Sequence, residues 1–192
     1  MAARLGVCGH DALCRFVLAG RWDAEPLAAE LMVQADRLVG GPDAVPIVDD
    51  TALPKKGTAW VGVAPQHATV LGKNANCQTL VSLTLGSGEV PVPTALRLFL
   101  PESWTADTVR LEKGGVPPER RAFQGKPEIA LEEIALKEIA QVRAAGVRFG
   151  CILAYAGYGR SAPFRQALSE RGLRWAVGIP AKRDRCVPSM SR

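Results

Sequence analysis

No stretch of this 192-residue chain approaches the roughly 20 consecutive apolar residues that a membrane-spanning helix requires, so no membrane partner is expected. The opening MAARLGVCGHDALCRF has no apolar run before charged residues return, so no secretory leader is expected and the expected compartment is the cytoplasm. Paired cysteines are missing too. The five present, Cys8, Cys14, Cys77, Cys151 and Cys186, are odd in number and contain no CxxC pair, which argues for reduced thiols rather than a disulfide framework or zinc site. Cys8 and His10 stand close, yet two ligands do not complete a tetrahedral shell. Strong charge of one sign is also absent. A formal net charge of +5 and a pI near 9.1 permit a polyanionic partner without demanding one. What remains, with 47% hydrophobic and 22% charged residues, can bury one sizeable core, or one core and a small helical appendage.

Against that plain background one stretch stands out. VPIVDDTALPKKG, Val45 to Gly57, sets Val45, Ile47 and Val48 before the acidic pair Asp49 and Asp50, then adds Thr51, a proline, Lys55 and Lys56. It reads as a buried strand ending in carboxylates. A strand held by core elements presents its last side chains rigidly at the carboxyl edge of a sheet, where a crevice admits a ligand. A carboxylate there is costly unless it is hydrogen-bonded, paired or metal-bound. Mg2+ takes oxygen ligands and retains waters, so one or two carboxylates plus substrate phosphates complete its shell, and the two lysines could hold those phosphates. The competing explanation is an Asx-type turn, in which Asp49 or Asp50 bonds the backbone of the next residues.

Residues 1–44 read as a helical lead-in. One helix over His10 to Gly20 carries Leu13, Phe16 and Val17 on a face; Asp23 caps a second, with Leu27, Leu31, Ala35 and Leu38 at helical spacing before Gly40 and Gly41 stop it. After the acidic stretch, Trp60 to Val63, Gln78 to Leu85 and Leu96 to Leu100 read as an antiparallel meander, with turn chemistry in VLGKNANCQ. Residues 101–126, where prolines and glycines mix with Arg110, Arg120, Arg121 and Lys126, read as an irregular basic surface segment. Pro127 to Ala145 reads as an α-helix with Leu131, Ala135, Ile139 and Val142 inward and a Glu133–Lys137 pair. Val147 to Ala156 reads as a central strand. In GYGRSAP, Gly157 and Gly159 allow close backbone approach, and Ser161 caps a helix to Glu170 whose start could bind an anion. Trp175 to Ile179 makes the last strand. This order predicts a mixed sheet flanked by helices. The strand ending at Ala154 to Ala156 should lie beside the one ending at Asp49 and Asp50, its tip offering a second metal ligand.

IVDDTALPKKG, VGVAPQ, LGKNANCQTLVSL, LRLFLPESW, KPEIALEEI and ILAYAGYG with FRQALSERGLRWAVGIP, in that order, resemble insertion-sequence transposases of the DDE superfamily, in the branch with a D-D-T, K-K-G and N-C-Q block. HDALCRFVLAGRWD resembles the region preceding their catalytic core, and the resemblance runs to Pro180. It implies an α/β, RNase H-like core over residues 45–180, between the 1–44 lead-in and a divergent basic tail, 181–192. It implies phosphodiester chemistry on DNA ends, both transposon ends and target, with three acids holding two Mg2+ ions. Asp50, directly before Thr51, matches the first acid and metal ligand, with Asp49 the second choice. The second acid belongs before A-G-Y-G, where this chain has Tyr155.

A phenol has one oxygen and a pKa of about 10, a poor replacement for an ionised carboxylate. No other acid lies between Cys151 and Ser169. The family's third acid, a Glu on a later helix, would fall after the last strand, where AKRDRCVPSMSR no longer resembles the family. Its GTHS-like residues before VGVA are changed to Thr58, Ala59 and Trp60. The expectation is a C-terminally truncated, inactive transposase with impaired Mg2+ binding. The alternative is a regulatory DNA- or transposase-binding fragment, nucleoid-associated if it binds DNA, that contacts phosphates through Lys55, Lys56, Lys73, Arg120, Arg121, Lys126, Arg160 and Arg165 or pairs with an intact copy. A decayed product whose core still folds is a third reading. Without the later helix, apolar sheet surface is expected to lie bare and favour self-association. A small phosphoesterase with Asp50 as nucleophile would lack a supporting acid or base.

Overall fold

The computed structural model describes residues 10–19 and 23–178. Two helices come first, α1 (His10–Ala19) and α2 (Ala24–Val39). The Asp23 carboxylate accepts the Glu25 N–H at 3.1 Å, which starts α2, and the Gly40 N–H closes it on the Asp36 carbonyl. The inward stripe of α2 is Met32, Ala35 and Val39, whereas Leu27 and Leu38, expected to face the core, are exposed. The side chains expected on the inner face of α1 lie outside the described residues.

Six strands make one mixed sheet: β1 (Val45–Pro54), β2 (Ala64–Ala68), β3 (Lys73–Ser87), β4 (Val90–Phe99), β5 (Ile152–Ala154) and β6 (Trp175–Val177). β3 organises the antiparallel half, pairing β2 through its first residues, β1 from Cys77 to Gly86 and β4 from Thr79 to Ser87. β5 then lies parallel to β1, and β6 parallel to β5. This is the expected mixed α/β sheet with its antiparallel meander, consistent with an RNase H-like core. Several boundaries differ from expectation: β4 begins at Val90, not Leu96, and β5 keeps only Ile152–Ala154 of the expected Val147 to Ala156. β1 does not end at its acids, because the 15-residue β3 supplies partners as far as Pro54. Trp60 to Val63 is a turn, and its neighbours Ala64 to Ala68 form the strand instead. β3 begins at Lys73, directly after Gly72 takes φ +62° and reverses the chain.

Alternation sorts the two faces of the sheet. Val48, Val81, Leu83, Leu85, Ala95, Ile152 and Ala154 share one face by register and are buried. They join one core with residues of α2, of the long helix over residues 126–144 and of α8 (Ala162–Glu170). Ile47, Leu96 and Leu153 lie on the opposite face, outside that core. Leu96 is 49% and Leu153 39% exposed.

The long helix is α-helical only at its ends, α5 (Lys126–Ile129) and α6 (Ile139–Ala144), with a π-helical stretch, Ala130–Glu138, between them. The wider i→i+5 turn, seen in the Ile139 N–H bond to the Ile134 carbonyl, changes the inward stripe. Ala130, Ile134 and Glu138 are buried beside the expected Ile139 and Val142, Leu131 packs partly buried against the core, and the Ala135 side chain lies outside the described residues. Residues 101–126 are folded rather than irregular. They form α3 (Glu102–Thr105) and α4 (Thr108–Lys113), and Trp104, Leu111 and Val116 make a second small core with Val61 and Leu100. The Trp104 indole N–H donates to the Val63 carbonyl at 2.8 Å, and the Arg110 guanidinium stacks 3.8 Å from its ring.

After β5 the chain turns through α7 (Ala156–Gly159) into α8, whose Ser161 hydroxyl accepts the Phe164 N–H. The close approach anticipated in this turn falls on Gly159, where a Cβ would collide with the Gly178 carbonyl and lie 3.1 Å from Val177. Among the described residues no helix is long and apolar enough to cross a membrane.

Candidate active site

β1 and β5 bring the two sequence-predicted acid positions to one end of the sheet. Ile47 pairs with Leu153 and Val48 with Ala154. The Tyr155 N–H extends the ladder to the Val48 carbonyl at 3.0 Å, with Tyr155 itself extended at φ −60° and ψ 154°. Register partners share a face and successive residues alternate. Asp50 therefore follows Val48 and Ala154 onto the core face, while Asp49 and Tyr155 follow Ile47 and Leu153 onto the opposite face. Asp49 and Tyr155 are exposed, Tyr155 by 59%. One oxygen of Asp49 accepts the Asp50 N–H at 2.7 Å, so the local backbone bond foreseen as the competing explanation is made by this residue.

Asp50 sits among partners. The Lys126 ammonium donates to its Oδ2 at 2.7 Å and the Tyr158 hydroxyl donates to its Oδ1. Tyr158 is buried. Burial first, then the hydrogen bond to Asp50 and the charges of Asp50 and Asp49, push its hydroxyl above the usual phenol range, so it remains a donor. Lys126 also lies 5.6 Å from the centre of the Phe99 ring.

These residues do not fit the Mg2+ ion that the resemblance implies. A hard divalent cation needs several oxygen ligands with lone pairs available. Asp50 has both oxygens engaged by donors, Asp49 projects from the other face, and position 155 offers a phenol. Among the described residues no three His, Cys, Asp or Glu side chains gather into a potential metal site.

The expected phosphate contacts do not form one cluster. Lys55 and Lys56 follow the far end of β1, with Lys55 4.6 Å from the Trp60 ring centre. Lys73 opens β3, eight residues from Val81, the partner of Asp50, which is roughly 26 Å at strand rise. Arg120 lines a 330 Å³ pocket with Arg97, Leu98, Val116, Gln124 and Ile129. Arg121 donates to the Val116 carbonyl and the Glu112 carboxylate. Arg160 is exposed, and Arg165 donates to the Gly159 carbonyl, holding the α7 turn. Lys126 alone reaches Asp50.

The N-C-Q block carries a role that its turn-like composition concealed. The Asn76 amide donates to the Lys55 and Gly57 carbonyls at 3.0 and 2.7 Å, fixing the K-K-G loop. Buried Cys77 offers its carbonyl to Gln66, and the Gln78 amide donates to the Val61 carbonyl. Sequence reasoning also missed the ion pair of buried Glu138 with Arg97 and the Tyr158 contact; neither gives a periodicity signal, since both depend on which elements meet.

A family profile described as DDE superfamily endonuclease matches residues 1–188. The chain is 26% identical over 180 residues to a Microchaete diplosiphon protein described as a probable transposase for insertion sequence element IS701. That alignment covers 93% of this chain and 43% of the other, so the chain spans less than half the length of the curated relative it matches. No solved structure matches it.

Proposed function

We infer that this chain, which belongs to the DDE superfamily endonucleases, is part of an insertion-sequence transposase core that has lost DNA cutting and joining. The observation carrying the reading is the pairing of faces at the β1–β5 tip. The ladder pairs Val48 with Ala154, and the Tyr155 N–H bonds to the Val48 carbonyl; continuing the alternation by one residue sets Asp49 beside residue 155, a tyrosine. On this reading Asp49, rather than Asp50, is the surviving first acid. Without a carboxylate beside it, the charge density that gathers a divalent ion on a phosphate is missing, so hydrolysis and strand transfer are lost. The division into a 1–44 lead-in, a 45–180 core and a 181–192 tail belongs to the same proposal.

The retained capacity is then binding. Lys55 and Lys56 after β1, Lys73 at the start of β3, Arg120 after α4 and Arg160 after α7 come from different elements, which suits contacts spaced along a DNA backbone better than one enclosed anion site. Self-association or pairing with an intact transposase is the companion reading, favoured by the exposed Leu96 and Leu153 on the sheet face opposite the main core.

Two assays on the full chain test this. With DNA and either Mg2+ or Mn2+ no nicking is expected, and fluorescence anisotropy should show affinity for duplex DNA that falls steeply as salt rises. Metal-dependent nicking that Asp49→Asn abolishes, or binding that is absent or indifferent to salt, would contradict it.

A further inference from the structure

We infer that Lys126 is the resident counter-ion of Asp50, and that Asp50, Lys126 and Tyr158 form a structural cross-link instead of a metal site. The three side chains come from three elements, Asp50 from β1, Lys126 from the first residue of α5 and Tyr158 from α7. The ammonium is 2.7 Å from Oδ2, and the Tyr158 hydroxyl is bonded to Oδ1. Tyr158 is packed with its ring centre 6.2 Å from that of Phe164, so its hydroxyl cannot turn away from Asp50 without opening the core. The Asp50 and Lys126 side chains are 26% and 30% exposed, enough shielding for a charge-assisted hydrogen bond to outweigh its desolvation.

The consequence is specific to the metal question. A divalent ion arriving at Asp50 would have to displace an ammonium that already supplies the cation, beside a phenol that presents a proton. The carboxylate closest in sequence to Thr51 thus ties the start of the long helix and the α7 turn to the middle of β1. The inference rests on the proposed function only for its contrast between Asp49 and Asp50; the contacts themselves do not depend on it.

Thermal unfolding of the full chain, of Asp50→Asn, of Lys126→Met and of the double variant, each with and without millimolar Mn2+, tests the cross-link. Each single change should lower Tm by roughly 3–8 °C. The double change should lower it by clearly less than the sum, because the second removes a partner already lost. Mn2+ should leave the parent Tm unchanged. Additive single effects, or a Mn2+-induced rise in the parent that Asp50→Asn abolishes, would overturn the inference. Should Asp50→Asn fail to fold, Lys126→Arg set against Lys126→Met keeps the test: Arg, which preserves the ion pair, should recover most of the Tm that Met loses, and equal losses would overturn the inference. DNA binding, assayed separately, distinguishes the two claims: its loss with the cycle intact sinks the proposed function alone, and an additive cycle with binding intact sinks this inference alone.

Discussion

At the scale of single residues, charge in this molecule is settled by backbone geometry as much as by opposite charge. Asp36 on α2 accepts the Arg148 backbone N–H at 2.9 Å and the same residue's guanidinium at 3.1 to 3.3 Å. The backbone bond is the leading cause, followed by the side-chain bond, that holds its carboxyl below the usual 3.8. A carboxylate whose folded pKa is depressed stabilises the fold above its unfolded value, and that contribution disappears as pH falls through the lowered one. Asp36→Asn should therefore melt slightly below the parent at neutral pH, and the gap should close as pH drops below about 3.8. The gap should be small, since the pair is solvent-screened. A gap independent of pH would assign the loss to packing instead. Asp49 and Asp50 make the same point: adjacent in sequence, they are separated by the pleat into an exposed acid and a bonded one.

At the scale of elements, legibility depended on whether a segment's structure is decided locally. Asp23 and Ser161 announce their helices because a cap bonds within its own turn. The β1–β5 pairing was legible from apolar runs and chain order. The π-helical stretch was not, because an i→i+5 turn is stabilised by what it aims inward, here Glu138 toward Arg97 of β4. Residues 101–126 hid their order for a related reason: besides stacking on each other, Trp104 and Arg110 find partners at Val63 and Thr58, far away in sequence. The Arg97–Glu138 pair gives the element-scale prediction. Arg97→Met leaves a buried carboxylate without its partner and should destabilise by about 2–3 kcal/mol, with Arg97→Met/Glu138→Met milder than the single change. Denaturant titration measures both. A double variant less stable than the single would show that the pair is not the coupling between β4 and the helix.

At the scale of the whole molecule, one face of the sheet carries the main core, while the other is only partly covered and leaves Leu96 and Leu153 exposed among the described residues. Ile47, Leu96 and Leu153 lie on that second side by register, and the exposed Leu96 and Leu153 make a surface of the kind that binds a partner or aggregates. Light scattering should show concentration-dependent association, and Leu96→Lys with Leu153→Lys should suppress it while leaving the core-face contacts intact. A strictly monomeric parent would remove the ground for self-association. The site is likewise a property of the whole molecule, because Asp49 and residue 155 are 106 positions apart and are brought to one end of the sheet by the parallel β1–β5 ladder. The decisive measurement is Mn2+ binding by Tyr155→Asp, followed as a rise in Tm with metal. The account predicts a rise that the parent lacks, abolished by adding Asp49→Asn and retained when Asp50→Asn is added instead. No gain on Tyr155→Asp, or a gain that depends on Asp50 and ignores Asp49, would contradict the placement of the broken acid pair.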